Sequence, residues 1–367
     1  MRFSDLNKGK DRAFSSPAPA SEPKSPPPPE PAKEQAPPPP PKASAAPAKR
    51  SPESALGVYS SAIKLVKRLY EGIQSPGLKI CADLRLMSQE ILGQLENDDQ
   101  SLLALTRHAT SENYLHAHSV NVAVLSLQTA RGRGWDNEEL SLLGAGALLH
   151  DIGMAPLLAT VSQPRALTPQ EREAVNRHPL EGEKLLGNIS DLGASEKSAL
   201  ALMIGQEHER ISGRGYPKGL KEPAVTVVAQ VIGLCDVYEA MSHPRSWREA
   251  MLPHETLKAI LREQTRDFDQ KFVRILLDRL SLFPPGSYVE LSTGEVARVA
   301  ETHAQFPTRP TVEIQARADG GTQAPPLLLN LMNAPIVHIT RAVDETKLAV
   351  KDDALREKLR ASRWWTE

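Results

Sequence analysis

The sequence predicts a mainly helical bundle with a small β module at its C-terminal end and a disordered, proline-rich tail at its start. Three observations predict this fold class. Apolar residues recur at three- and four-residue spacing between residues 54 and 282, with no strand pattern. After residue 283 the period switches to two. Residues 17–52 hold 15 of the 31 prolines, mixed with Ala, Ser, Lys and Glu, a composition with too little apolar surface to offset the entropy of ordering. The remainder of the 367 residues, at 40% hydrophobic overall, suffices for two or three packed domains.

Lys+Arg 44 against Asp+Glu 45 leaves a net charge of -1, which excludes nucleic-acid binding by bulk electrostatics. Two cysteines, Cys81 and Cys235, provide neither a disulfide framework nor a thiolate zinc site. The first ten residues have no apolar core for a signal peptide, and the most apolar stretch, residues 140–161, is interrupted by His150 and Asp151, so no membrane span is expected. A cytoplasmic location fits these features.

Five segments are expected: the tail at 1–50, a helical segment at 51–109, a central helical domain at 110–282, the β module at 283–343 and a helical tail at 344–367. Ser51-Pro52-Glu53 starts the first helix, with a cap, a proline at the first helical position and an acid in the first turn. Ala55, Tyr59, Ala62, Val66, Leu69 and Ile73 form its apolar face until Ser75-Pro76-Gly77 stops it. A second helix carries Leu78, Cys81, Leu84, Met87, Ile91 and Leu95; the two either pack as an antiparallel pair or form a homodimer surface. Asp136 and Glu139 make a capping box before the helix that ends at His150-Asp151. Thr168-Pro169-Gln170-Glu171 starts another, expected to run on through Val175, His178, Gly182 and Leu185. Residues 211–217 read as a loop, and Val228, Ile232, Cys235 and Glu239 lie in register on a further helix. Strands are expected at 288–291, 296–300, 311–316 and 336–339, the first two joined as a hairpin through Ser292-Thr293-Gly294.

Polar residues fall inside these apolar stripes. His118, His150, Asp151, His178, Glu207, His208 and Asp236 sit on or beside the inward faces of five successive helices. Any one of them alone reads as a hydrogen-bonded core residue. Four imidazoles and three carboxylates together need a cation, and helical bundles converge such side chains on metal ions. Nitrogen and oxygen donors without thiolate favour divalent iron or manganese over structural zinc. A carboxylate among imidazoles, such as Asp151, can bridge two metals that activate water for displacement at phosphorus.

The order of motifs resembles the HD-GYP family, bacterial phosphodiesterases of the HD superfamily that act on cyclic di-GMP. His118 in HAHSVNVA is similar to the family's first histidine, His150-Asp151-Ile152-Gly153 to its HD motif and His178-Pro179 to its next ligand. Gly213-Arg214-Gly215-Tyr216-Pro217 resembles the motif that names the family, Asp236-Val237-Tyr238-Glu239-Ala240 its aspartate segment, Arg245-Ser246-Trp247-Arg248 its RPYR-like segment, and Phe268-Asp269 closes the match. The resemblance implies an HD-type bundle over residues 110–282. It implies that His118, His150, Asp151 and Asp236 hold one metal and that His178 and Glu207 hold a second, with Asp151 bridging and His208 adjacent. It also implies that Gly215, Tyr216 and Pro217 line the substrate pocket, and that Arg245 and Arg248 bind the phosphates of cyclic di-GMP or a related nucleotide.

The chain departs from the family at Met154, where a lysine assists at the substrate phosphate, at Glu207, where a histidine stands, and at Ser212, where an aspartate precedes the GYP loop. Tyr114 stands four residues before His118, where some members carry a ligand for a third metal. The first expectation is a metal-dependent cyclic di-GMP phosphodiesterase with Asp151 at its catalytic centre. The alternative is a catalytically impaired member that serves as a cyclic di-GMP receptor or engages signalling partner proteins. The intact GYP and Arg245 to Arg248 segments disfavour an HD hydrolase of another phosphoester.

Overall fold

The computed structural model describes residues 52–106, 114–131, 133–163, 165–243, 250–263, 266–303 and 305–344. The tails expected at 1–50 and 344–367 therefore lie outside the described residues, apart from Asp344. The described residues are mainly helical, a helical bundle followed by a small antiparallel sheet.

Among the described residues twelve helices precede the sheet: α1 Pro52–Gly72, α2 Cys81–Asn97, α3 Asp99–Leu105, α4 Tyr114–Arg131, α5 Asn137–Leu149, α6 Leu158–Val161, α7 Pro169–Asn176, α8 His178–Leu185, α9 Ala194–Gln206, α10 Val227–Ser242, α11 Pro253–Glu263 and α12 Gln270–Leu280. A 3-10 turn, Ile152–Leu157, joins α5 to α6. Helices α4 and α5 are buried on nearly every face, which is why their Asp, Glu, Lys and Arg residues are confined to their ends. Around them, one continuous core gathers the apolar stripes of α1, α2, α9, α10 and α12. The apolar face of α1 is spent here, since Ala55, Tyr59, Ala62, Val66, Leu69 and Ile73 are all buried within the chain. The α1–α2 faces thus pack internally rather than forming a free dimer surface.

Capping follows the sequence. Asp136 and Glu139 form the reciprocal box at the start of α5, and Thr168 with Glu171 does the same for α7. The single helix expected from residue 168 to 185 is instead two, broken at Arg177. Pro179 disfavours helical backbone at His178 if a helix runs on from before it, but is well suited to the first turn of a new one. The break makes His178 the first residue of α8.

The sheet has the strand order β4-β3-β2-β1-β5, with β1 Tyr288–Leu291, β2 Val296–Glu301, β3 Thr311–Ala316, β4 Thr322–Asn330 and β5 Ile339–Val343, every neighbour antiparallel. One face supplies a second core of Val289, Leu291, Ala297, Val299, Val312 and Ile314, with Phe283 and Leu331. Two expectations are corrected. The last strand spans Ile339–Val343 rather than 336–339, and β4 was not foreseen because Pro325 and Pro326 interrupt it. Those prolines are accommodated at the sheet edge, where the β3–β4 register shifts between Ile314 and Ala316. Across the two cores, Gln100 accepts hydrogen bonds from the backbone and hydroxyl of Thr302. The stretch Asn137–Val161 is apolar and long enough to cross a membrane, but 78% of its most apolar window is buried inside the protein.

Candidate metal centre

Helix ends bring most of the site together. His150 caps the C-terminus of α5 with Asp151 next to it, His178 begins α8, and Glu207 caps α9 with His208 following. His118 on α4 and Asp236 on α10 come from within helices. His118, His150, Asp151, His178, Glu207 and Asp236 are buried, and His208 is nearly so.

Three of the imidazoles are oriented from behind. The Nδ1 of His150 donates to the Ala147 carbonyl (2.8 Å) and that of His178 to the Val175 carbonyl (2.6 Å). The Nδ1 of His118 donates to Glu239 Oε2 (2.5 Å). Each ring therefore turns its Nε2 inward. His118 Nε2 faces His150 Nε2 at 3.3 Å, Asp236 Oδ1 at 3.2 Å and Asp151 Oδ2 at 3.5 Å. His178 Nε2 faces Glu207 Oε1 at 3.0 Å and Asp151 Oδ1 at 3.2 Å. His208 stands between, its Nε2 3.7 Å from Glu207 Oε1 and its Nδ1 3.7 Å from Asp236 Oδ2.

Three buried carboxylates thus converge on the imidazoles, an arrangement that positive charge stabilises, whether a proton on the rings or a cation between them. Burial alone would push the imidazoles of His118 and His178 down. The carboxylates of Glu239, Asp236 and Asp151 around the first, and of Asp151 and Glu207 around the second, more than reverse this and raise both. Burial likewise opposes ionisation of Asp151 and Asp236, yet the neighbouring imidazoles hold both carboxyls below the usual range. Glu207 is pushed up to about 7 by burial, and His208 is lowered to about 3 by burial and the adjacent His178.

Two groups have donor atoms close enough to share an ion: Asp151, His178, Glu207 and His208, and His118, His150 and Asp151. Asp151 belongs to both, one oxygen turned toward each. Glu207 Oε2 is fully buried with no hydrogen-bond partner, His150 Nε2 lying 4.0 Å away. A buried carboxylate oxygen without a hydrogen bond, beside inward-facing imidazole nitrogens, fits a divalent cation bound by nitrogen and oxygen donors. The sequence-predicted ligands are therefore brought to one place, with Asp236 beside His118 and His208.

The loop containing Gly215, Tyr216 and Pro217 presses against this cluster. The Tyr216 ring stacks on His208 with centroids 4.6 Å apart, and its backbone N–H donates to the His208 carbonyl. A side chain at Gly215 would bring its Cβ within 2.4 Å of that carbonyl, so glycine alone permits the approach. Buried Glu209 accepts the N–H groups of Lys218 and Leu220, and Arg214 grips Asp267 through two hydrogen bonds of 3.0 Å. Arg245 and Arg248 lie outside the described residues. Met154 is buried among core apolar side chains.

Sequence reasoning missed Glu239 and Glu209. Glu239 had a signal, since it follows Asp236 by three residues and so shares its helix face. Glu209 had no comparable signal in the sequence. Tyr70, whose hydroxyl donates to the Asp151 carbonyl at 2.9 Å, had no sequence signal, because 81 residues separate the two.

The family model for an HD domain matches residues 95–272, and that for a KOW domain associated with an HD domain matches residues 288–351. A cyclic di-GMP phosphodiesterase of Pseudomonas aeruginosa is 30% identical over 247 residues, 67% of this chain and 58% of that protein. One of Borreliella burgdorferi is 26% identical over 203 residues, 55% of this chain and 52% of the relative. A 3'3'-cGAMP-specific phosphodiesterase of Vibrio cholerae is 31% identical over 47% of this chain and 36% of its own length. The chain thus spans little more than half the length of the first two relatives. With the HD dipeptide at the centre of the cluster and the Gly-Tyr-Pro loop stacked on it, residues 95–272 carry an HD domain, in keeping with the resemblance of their motifs to the HD-GYP family.

Proposed function

We propose that this chain is a metal-dependent phosphodiesterase that hydrolyses cyclic di-GMP, with residues 110–282 as its HD-GYP domain. The observation that carries the reading is the division of Asp151, one oxygen toward His178 and the other toward His118 and His150. In this reading His118, His150, Asp151 and Asp236 hold one divalent ion, and Asp151, His178 and Glu207 hold a second with His208 beside it, iron or manganese suiting the donors. Two such ions, when bound, lower the pKa of water and neutralise charge developing at phosphorus. The chain's own contribution is to fix that geometry. Carbonyls behind His150 and His178 hold the rings, Tyr216 walls the site on the His208 side, and Arg245 and Arg248 take the phosphates.

The test is to load the full chain with Mn2+ or Fe2+, incubate it separately with cyclic di-GMP and 3'3'-cGAMP, and resolve the products by chromatography. A linear dinucleotide or GMP from cyclic di-GMP is the expected result. Binding without product at every metal loading overturns the enzyme reading.

That outcome would support a second reading, a cyclic di-GMP receptor or protein-interaction module, which the burial of Met154 favours. A cation at this position would have to lie inside the hydrophobic core. Met154→Lys is therefore expected not to raise the rate but to lower stability, by about 1–3 kcal/mol from overpacking and desolvation. Thermal melting and steady-state assays of the variant check this, and a faster enzyme with an unchanged melt would show that the lysine reaches the site.

A further inference from the structure

Helix α1 precedes the stretch matched by the HD domain model, yet two of its hydroxyls end on the ligand cluster. Tyr59 and Tyr70 are both buried and lie three turns apart on its apolar face. The Tyr70 hydroxyl donates to the backbone carbonyl of Asp151. That of Tyr59 donates to Asn121 Oδ1 (2.6 Å), whose Nδ2 donates to Glu239 Oε1 (2.9 Å), while Glu239 Oε2 accepts from His118 Nδ1 and from the Tyr114 hydroxyl (3.2 Å). Asn121 and Glu239 are fully buried.

The order of donors in this chain is forced. A carboxylate only accepts, so Asn121 must show Glu239 its amide nitrogen, and its oxygen must then face a donor. Tyr59 is that donor. Without its hydroxyl the Asn121 amide is free to flip, which would set its oxygen against the Glu239 carboxylate. Glu239 in turn keeps the His118 proton on Nδ1 and its Nε2 open to the site, the outer-shell arrangement that raises ligand basicity.

We propose that Tyr59, Asn121 and Glu239 form a positioning chain through which α1 sets the orientation of His118 and the affinity of the centre for its cation. The inference rests on the metal-centre reading. It makes the segment before the matched domain part of the site, so that a shift of α1 changes metal occupancy.

The test uses the full chain as wild type, Tyr59→Phe, Glu239→Gln and the double variant. Each is titrated with Mn2+ while free Mn2+ is followed by electron paramagnetic resonance, and the His118 Nδ1–H is read from imidazole 1H and 15N shifts of the metal-free chain. Glu239→Gln is expected to weaken Mn2+ binding by about 10–100-fold. Tyr59→Phe should weaken it less, and the double variant should lose no more than Glu239→Gln alone, because the two act in series. The His118 Nδ1–H should lose the downfield shift of a carboxylate-bound proton in Glu239→Gln, a change that a merely structural role would not produce. If wild type binds Mn2+ and Tyr59→Phe binds it equally, or the two losses multiply, or the Nδ1–H shift is unchanged, the positioning chain is overturned while the metal centre stands. If wild type binds no Mn2+, the metal-centre reading fails and the inference with it.

Discussion

Replacing Asp151 with alanine is expected to remove both metal and hydrolysis. The carboxylate faces His178 with one oxygen and His118 and His150 with the other, so its loss strips a ligand from both donor groups at once. Changes to outer partners of a metal site cost about 10–100-fold, and removal of a ligand shared by two groups should exceed that range. The cost is also electrostatic. His118 and His178 owe part of their raised pKa values to Asp151, so the cluster becomes less able to hold positive charge of any kind. Asp151→Asn separates charge from packing, because it keeps the shape and the Tyr70 contact to the backbone carbonyl while removing the charge. Both variants should retain less than half the metal of the wild type by elemental analysis and turn over no cyclic di-GMP. An alanine variant with full metal content and turnover would place the chemistry elsewhere.

The ligands were legible because helical periodicity does two jobs here. It identifies the buried face, and it flags any histidine or carboxylate that falls on it. His118, His150 and His178 were found in this way, although His178 lies at the start of α8 and not within a longer helix. The run to Asp236 and Glu239 shows where the method stops. Both were placed on one helix, but Glu239 was absorbed into the apolar stripe, since nothing local says that a glutamate at a buried position has a histidine from α4 behind it. Contacts such as Tyr59 to Asn121 and Tyr70 to Asp151 join elements 62 and 81 residues apart and leave no trace in spacing. Strand β4 failed for a different reason. Its TQAPPLLLN sequence lacks alternation and contains two prolines, which a central strand excludes but an edge with shifted register tolerates. Met154 shows how position along the chain differs from position in space, because its place after the HD motif suggests a residue at the substrate whereas its side chain packs in the core.

Gly153→Ala tests whether the site depends on the close seating of the 3-10 turn Ile152–Leu157 on α8. A Cβ at residue 153 would lie 1.9 Å from the His178 carbonyl oxygen and 2.8 Å from the Gly182 nitrogen. Both are backbone atoms, so no side chain can swing away, and the turn must separate from α8 to admit a methyl group. That movement carries Asp151, two residues earlier, away from His178, where contact is now 3.2 Å. Overpacking of this kind typically costs about 1–3 kcal/mol, and a backbone clash belongs at the upper end. At about 2–4 °C per kcal/mol for a domain of this size, the melting temperature should fall by roughly 6–12 °C. Gly57→Ala provides the opposite case, since it lies exposed within α1 and no atom lies within 4 Å of the place its new methyl group would take. That substitution should raise stability by about 0.5–1 kcal/mol through helix propensity alone. Metal binding separates the two further, with Gly57→Ala matching the wild type and Gly153→Ala binding Mn2+ more weakly even at temperatures where it remains folded. Equal melts and equal Mn2+ affinity for the two variants would mean that the turn can leave α8 without disturbing Asp151, and that the glycine after the HD dipeptide is not what seats it.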